Sequence, residues 1–244
     1  MSRDPRELDW RKHQRVSFTQ PSADLRTWVS RYWRVDWTYE TPYRQLVVPY
    51  PNVHLTFHST GPELHGVSSG HVFQHLDGND GVFGVAFRPG RFRPFLGRSV
   101  STLTDTTGPV AEVFPDLPCT ADVAGIEAYL RDHLPVDDPK SVLAAEIVEH
   151  IQGGPEVMRV DMLAKEFGTT VRRLQRLFAE HVGVGPKWVI RRYRLHEVTV
   201  RMTEGSRIDW AELAAELGYA DQAHFTRDFT SMFGETPTRY AARY

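Results

Sequence analysis

The chain has 244 residues, 41% of them hydrophobic and 25% charged, with a formal net charge of −2. That is the composition of an ordinary globular protein with room for two domains, each with its own core, and the near-neutral charge argues weakly against nucleic acid as a partner. A single cysteine, Cys119, excludes an intrachain disulfide. It fits a reducing cytoplasm. No apolar run approaches the roughly 18 residues that suggest a membrane span. The charged start Met1-Ser2-Arg3-Asp4-Pro5-Arg6-Glu7 has no apolar stretch behind it and does not read as a secretory signal. A bacterial cytoplasmic protein with no membrane partner is the expectation.

In chain order, residues 1–20 are polar and expected to be loosely held. Leu25, Trp28, Val29 and Tyr32 recur at helical spacing behind Pro21 and predict a short helix. Residues 32–39 are aromatic and β-branched and predict a strand, and residues 44–48 predict another. Val53, Leu55 and Phe57 alternate strictly with His54, Thr56 and His58, so the two sets face opposite sides of a strand. Gly61-Pro62 predicts a turn, with shorter strands at 64–67 and 71–75. The cluster Asp77-Gly78-Asn79-Asp80-Gly81 predicts a further turn, and 82–87 a buried strand. Arg88-Pro89-Gly90 turns the chain into a short helix at 91–96. Residues 110–118 read as a loop. Residues 121–134 form an amphipathic helix, with Ile126, Tyr129, Leu130 and His133 on one stripe. That stripe offers either a homodimer contact or packing onto its own domain. Pro135-Val136-Asp137-Asp138-Pro139 is a linker stiffened by its prolines.

The expected fold is α+β overall: a β-rich, barrel-like or half-closed domain over residues 1–119, a helix and linker over 120–139, and an all-α domain over 140–244. A small barrel can hold a ligand in its mouth. Trp33, His54, Thr56 and His58 are therefore candidates to line an effector pocket. The same domain carries His65, His71 and His75. His54 and His58 point the same way along a strand but lie ~13 Å apart. No Glu or Asp stands at a spacing that completes a triad, so no metal is predicted. The basic turn Arg88-Pro89-Gly90-Arg91 is either an anion cradle or a solvated corner. There is no glycine-rich phosphate loop, no nucleophile elbow and no paired-cysteine zinc spacing. Neither a cofactor nor an enzyme activity is expected. The alternative is a cupin-like metal-dependent enzyme that uses the N-terminal histidines and a helical assembly tail.

The last third carries an internal repeat. Leu163-Ala164-Lys165-Glu166-Phe167-Gly168, Thr170 and Leu174-Gln175-Arg176-Leu177-Phe178 return as Leu213-Ala214-Ala215-Glu216-Leu217-Gly218, Asp221 and Phe225-Thr226-Arg227-Asp228-Phe229. Each copy reads as a helix, a glycine turn, a capped start and a second helix. Leu174, Leu177 and Phe178 share one face of the first second-helix; Phe225, Phe229 and Met232 share one face of the other. The opposite faces are polar. This is a helix-turn-helix used twice, over about residues 160–182 and 209–233, bridged by a helix at 186–202 that opens on Gly185-Pro186. At ~1.5 Å per residue the bridge spans roughly 25 Å, enough to set two recognition helices about one DNA turn apart. The basic residues Arg172, Arg173, Arg176, Lys187, Arg191, Arg192, Arg194 and Arg201 face only Glu180 and Glu197 in the same stretch, a local patch of the kind phosphate binding needs.

Residues 144–244 resemble the DNA-binding domain of the AraC/XylS family of transcription regulators. The carrying residues are Leu213 to Tyr219, Asp221 to Phe229, then Phe233-Gly234-Glu235-Thr236-Pro237 and Tyr240. Val198, Arg201 and Ala223 depart from the family's usual residues. The region ahead is similar to the sensor-like domain in front of many such DNA-binding domains, on Arg31-Tyr32-Trp33, Val48-Pro49, Val53 to Phe57, Gly84 to Gly90 and Phe95-Leu96-Gly97. The resemblance implies sequence-specific binding of double-stranded promoter DNA. It implies a regulatory role for the β-rich domain without naming an effector; that domain is expected to bind a small molecule or to pair with a second copy of the chain, and RNA polymerase is a further candidate partner. On this reading Thr170, Arg172, Arg173, Gln175, Arg176, Asp221, Gln222, Ala223, His224, Thr226 and Arg227 are the candidate DNA contacts. Lys187, Arg191 and Arg192 are the candidate phosphate contacts.

Overall fold

The computed structural model of the protein describes residues 12–119, 122–154, 159–203 and 208–242. The charged start over 1–11, residue 121 at the head of the amphipathic helix and residues 157–158 ahead of the first motif lie outside the described residues. Strands β1 (Gln14–Thr19), β2 (Val29–Val47), β3 (His54–His58), β4 (Gly61–His65), β5 (Val72–Phe87) and β6 (Thr107–Gly108) make one six-stranded sheet in the order β1-β2-β5-β3-β4-β6. Every pairing is antiparallel. Among the described residues β1 and β6 are edges that do not pair with each other, so the sheet is open rather than a closed barrel.

The strands differ from the sequence pattern in three places. The separate strands predicted at 32–39 and 44–48 are one strand, and those at 71–75 and 82–87 are another. These two pair from Val29↔Phe87 to Val47↔Val72, with the register slipping between Tyr39 and Tyr43. The predicted turn at 77–81 runs inside β5, opposite Asp36 to Tyr39. A full-length partner ladder outweighs local turn propensity, and the bulge absorbs the mismatch. Residues 14–19, expected to be loose, are an edge strand on β2. The helical run at 25–32 yields only a 3-10 turn at Ala23–Leu25, because Val29 already belongs to β2. Leu25, Trp28, Val29 and Tyr32 are nonetheless all buried.

The helices are α1 (Arg93–Leu96), α2 (Val110–Val113), α3 (Val123–Asp132), α4 (Pro139–Gly153), α5 (Val160–Glu166), α6 (Val171–His181), α7 (Pro186–Thr203), α8 (Trp210–Glu216), α9 (Gln222–Phe233) and α10 (Pro237–Ala241). Asp122 caps α3 by accepting from the Gly125 N–H, and Asp138 caps α4 through the Lys140 N–H. The apolar stripe of α3 packs inward: Ile126 and Leu130 are buried in the chain's own core, which withdraws it as a homodimer surface. The linker is pinned as well. Arg91 is buried beneath the Trp28 ring and donates to Asp137 at 2.6 Å, and Arg93 reaches Asp138 at 3.5 Å.

Two large apolar cores result. In the first, Leu55, Val85 and Phe87 of the sheet and Phe92, Val100 and Phe114 of its flanking segments pack with Ile147 and Val148 of α4. Leu163 of α5, Leu174 and Phe178 of α6, and Val189 and Ile190 of α7 belong to the same cluster. In the second, Leu195, Val198 and Met202 of α7 pack with Leu213, Leu217, Tyr219, Phe225, Phe229, Met232 and Phe233. The first helix-turn-helix therefore shares its core with the sheet, while the second has its own. Phe178→Ala and Phe229→Ala should each cost about 3–5 kcal/mol. Hydrogen exchange should separate them: Phe178→Ala lowers protection in α6 and in β5 together, whereas Phe229→Ala lowers it in α8–α9 and leaves β5 near wild type.

Candidate nucleic-acid interface

The two helix-turn-helix units match bond by bond. In the first turn the Gly168 N–H reaches the Lys165 carbonyl at 3.1 Å and the Thr169 N–H the Ala164 carbonyl at 2.8 Å. In the second, Gly218 reaches Ala215 and Tyr219 reaches Ala214, both at 2.9 Å. Gly168 and Gly218 sit at φ 60° and 71°, the left-handed region where a Cβ is costly. Thr170 then caps α6 through the Arg173 N–H at 3.3 Å, and Asp221 caps α9 through the His224 N–H at 2.6 Å. These two side chains start α6 and α9.

Leu174 and Phe178 on α6, and Phe225, Phe229 and Met232 on α9, are fully buried. The opposite faces are open: Arg172, Arg173, Gln175 and Arg176 on α6, and Gln222, Ala223, His224 and Arg227 on α9, are exposed, with Thr226 half-buried. His224 stands edge-on to the Tyr219 ring at 5.2 Å. Among the described residues Arg172, Arg173, Arg176 and Arg227 make no ion pair, so their guanidinium forks are available for a guanine edge or a phosphate.

The bridging helix corrects one expectation outright. Arg192 is not a surface cation. It is 2% exposed, donates through Nε to the Pro49 carbonyl, and lies over the Tyr50 ring at 4.0 Å and the Phe233 ring at 5.5 Å. A guanidinium held between two rings under the sheet cannot reach a phosphate. Arg191 is half-buried and paired with Asp228 at 3.3 Å, which ties α7 to α9. Of the three phosphate candidates only Lys187 is exposed. Arg201 bridges Glu197 at 2.9 Å and Glu216 at 2.6 Å, fastening α7 to α8.

The sheet domain touches both motifs. Ser99 Oγ donates to the Ala179 carbonyl at 3.0 Å and Thr104 Oγ1 to the Gly183 carbonyl at 2.6 Å. Trp188 Nε1–H donates to the Ser69 carbonyl at 2.6 Å, and His71 Nδ1 meets the Ser231 carbonyl at 3.2 Å. The Arg88-to-Arg91 turn is no anion cradle. Arg88 pairs with Glu149, Arg91 with Asp137, and Gly90 packs so closely on α4 that a Cβ there would fall 2.5 Å from the Ala145 nitrogen.

The four pocket candidates do share one sheet face. Trp33 Nε1–H donates to His54 Nδ1 at 3.2 Å, and Thr56 Oγ1 lies 3.0 Å from His58 Nε2. Burial and the nearby Arg31 push His54 down to about 3, so its imidazole is neutral. These side chains close on one another. A cavity of about 660 Å³ lies elsewhere, between Ser30, Arg31 and Tyr50 on the sheet side and Tyr193, His196 and Val200 on α7. Nothing in the sequence pairs these distant stretches. A carboxylate does join two of the histidines, contrary to the expectation from spacing: Glu63 comes together with His58 and His65 across the β3–β4 hairpin. The turn signal near Gly61 was the available clue, since a tight hairpin there sets Thr56 opposite Glu63.

Two outcomes are expected. Lys187→Ala should lower the salt dependence of DNA binding by about one unit of slope, while Arg192→Ala should destabilise the fold and leave that slope unchanged; salt titrations of affinity with parallel denaturant melts would check both. The second concerns His181, which is buried against Ser141 at 2.9 Å. Burial holds its imidazole below the ordinary histidine value, with Asp138 pulling the other way. The unfolded chain therefore binds the extra proton first. Stability is fully present above about pH 6.5 and is lost as pH falls through the window below it. His181→Gln should flatten the fall in denaturant midpoint between pH 7.5 and 5.5.

Residues 163–243 match a family model described as "Helix-turn-helix domain", and residues 17–109 match one described as "Domain of unknown function (DUF6597)". The chain is similar to the regulatory protein SoxS of Escherichia coli (strain K12), 36% identical over 103 residues that cover 41% of this chain and 91% of that protein. It is similar to the F1 operon positive regulatory protein of Yersinia pestis, 32% identical over 105 residues, 41% of this chain and 34% of that protein. Among solved structures it is similar to ToxT from Vibrio cholerae O395 bound to (E)-4-(8-methylnaphthalen-1-yl)but-3-enoic acid. That likeness is 13% identical over 95% of this chain and 99% of that one, with a TM-score of 0.45. The duplicated helix-turn-helix and the near-complete match to SoxS place the chain in the AraC/XylS family of DNA-binding transcription regulators.

Proposed function

We propose that α6 and α9 enter successive major-groove segments of one promoter site, with Arg176 and Arg227 as matched readers of guanine. The observation that carries this is their equivalence: each is exposed, without an ion pair among the described residues, and on the face opposite a buried aromatic pair or its counterpart. Arg172, Gln175, Gln222, Thr226 and His224 flank them on the same two helices. Arg173 and Lys187 supply phosphate contacts. In a base-substitution scan of the protein's own promoter, Arg176→Ala and Arg227→Ala should each cost roughly 1–3 kcal/mol and relax preference at one place only. The two places should lie about 10 base pairs apart, because an 18-residue α7 at ~1.5 Å per residue spans roughly 27 Å, of the order of one helical turn of DNA. Uniform weakening across all sequences would make that arginine a backbone contact, and relaxation of both variants at the same base pair would defeat the two-groove arrangement.

A second reading concerns regulation. The cavity between the sheet and α7 suits a small-molecule effector, since an occupant touching Arg31 and Tyr50 on one side and Tyr193 and His196 on the other would favour one seating of the sheet against the bridge. Filling it should change promoter affinity. Val200→Trp, which intrudes from α7, is expected to mimic or block that change; wild-type affinity and wild-type response to cell extract in this variant would count against the site.

A further inference from the structure

The β3–β4 hairpin brings three potential metal ligands to one sheet face. Its register sets His54 opposite His65, Thr56 opposite Glu63 and His58 opposite Gly61. Side chains alternate along each strand, so Thr56 and His58 on β3 and Glu63 and His65 on β4 all project from the same face. His58 and His65 lie diagonally across the pair, and Gly61 puts no side chain beside His58. One ligand atom from each of His58, Glu63 and His65 lies within 4.8 Å of the others. We propose that these three side chains form a binding site for one divalent first-row transition ion such as zinc, with water completing the coordination.

The donor set fits that class of ion. Two imidazoles and a carboxylate suit zinc, iron, nickel or cobalt, whereas calcium and magnesium call for oxygen ligands throughout. The local charge fits too. Among the described residues no Lys or Arg pairs with Glu63, whose only ionic neighbour is His65 at 3.4 Å. Thr56 holds the two imidazoles in place from below. It is 4% exposed, and its hydroxyl lies 3.0 Å from His58 Nε2 and 2.9 Å from His65 Nε2. A hydroxyl offers one proton and two lone pairs, and the Thr56 hydroxyl also lies 3.4 Å from the Glu63 carbonyl, so it can serve both rings at once. Glu63 and His65 keep the site open to water on its outer side, which suits an exchangeable ion more than a permanently buried one. The site lies in the sheet domain, away from α6 and α9, so its occupancy can be read without DNA.

The test uses the full chain stripped with a chelator. Cobalt(II) uptake is followed by its visible absorption and zinc uptake by calorimetry. One ion per chain is expected in each case. Glu63→Gln should weaken binding at least about tenfold, and the pair of substitutions His58→Ala and His65→Ala should abolish it. His75→Ala, an exposed histidine outside the group, should leave it unchanged. Circular dichroism checks that each variant is folded, and Glu63→Gln, which alters an exposed side chain, keeps the question answerable if the double variant does not fold. Absence of cobalt uptake by the wild type, or uptake as tight in Glu63→Gln or in the folded double variant as in the wild type, would overturn the proposal; the latter would mean scattered surface histidines rather than a site.

Discussion

Everything in this molecule leans on α7, a helix that has to be buried on several sides at once. Its first turns give Val189 and Ile190 to the core shared with the sheet, and its later turns give Leu195, Val198 and Met202 to the core of the second motif. Between them Arg192 faces the sheet. Burying a guanidinium is expensive unless its hydrogens and charge are met in place. The Pro49 carbonyl and the Tyr50 and Phe233 rings do so in part, which makes this residue a clamp between the sheet and the second motif. Arg191 and Arg201, on the same helix, spend their charge on Asp228, Glu197 and Glu216. Much of the basic run is therefore structural, and the cations of that run left exposed are Arg172, Arg173 and Arg176 on α6 and Lys187.

The same helix creates an asymmetry between the motifs. The first shares an apolar core with the sheet, and a close-packed core shifts as a unit because its parts cannot move independently without opening voids. The second meets the sheet domain through Val48, which packs against its core, and through polar contacts such as His71 with Ser231. A typical hydrogen bond contributes only about 1 kcal/mol net. A change in the sheet thus has a stiff connection to α6 and a weak one to α9, with the cavity against α7 lying at the junction.

The sheet's two faces divide the labour. One is apolar and belongs to the main core. The other carries Trp33, His54, Thr56, His58 and His65, linked ring to ring and through the Thr56 hydroxyl. Half-buried polar groups are tolerable only where they are satisfied, and here each imidazole has a partner: Trp33 for His54, and the Thr56 hydroxyl for both His58 and His65. Their convergence is a property of strand order and register, with β3 between β5 and β4.

What the sequence determines by itself is whatever depends on neighbours a few residues away. The repeat, the glycine turns at Gly168 and Gly218, the caps at Thr170 and Asp221 and the buried faces of α6 and α9 are all local in this sense, and all stand where the pattern puts them. The alternation that separates Leu55 and Phe57 from His54 and His58 is local too. Only the tertiary structure decides what depends on partners far along the chain. A long ladder turns two pairs of short strands and a turn cluster into β2 and β5, because pairing outweighs a glycine's preference. Nothing near Arg192 in sequence announces that Pro49 and Tyr50 will cover it, so a basic residue in a basic run reads as exposed until the sheet is laid against it. Glu63 joins His58 and His65 only through the hairpin register, and the cavity draws its walls from stretches far apart in the chain, such as Arg31 and His196. Local periodicity reports which face of an element is apolar; which other element meets that face, and what is caught between them, is a matter of packing.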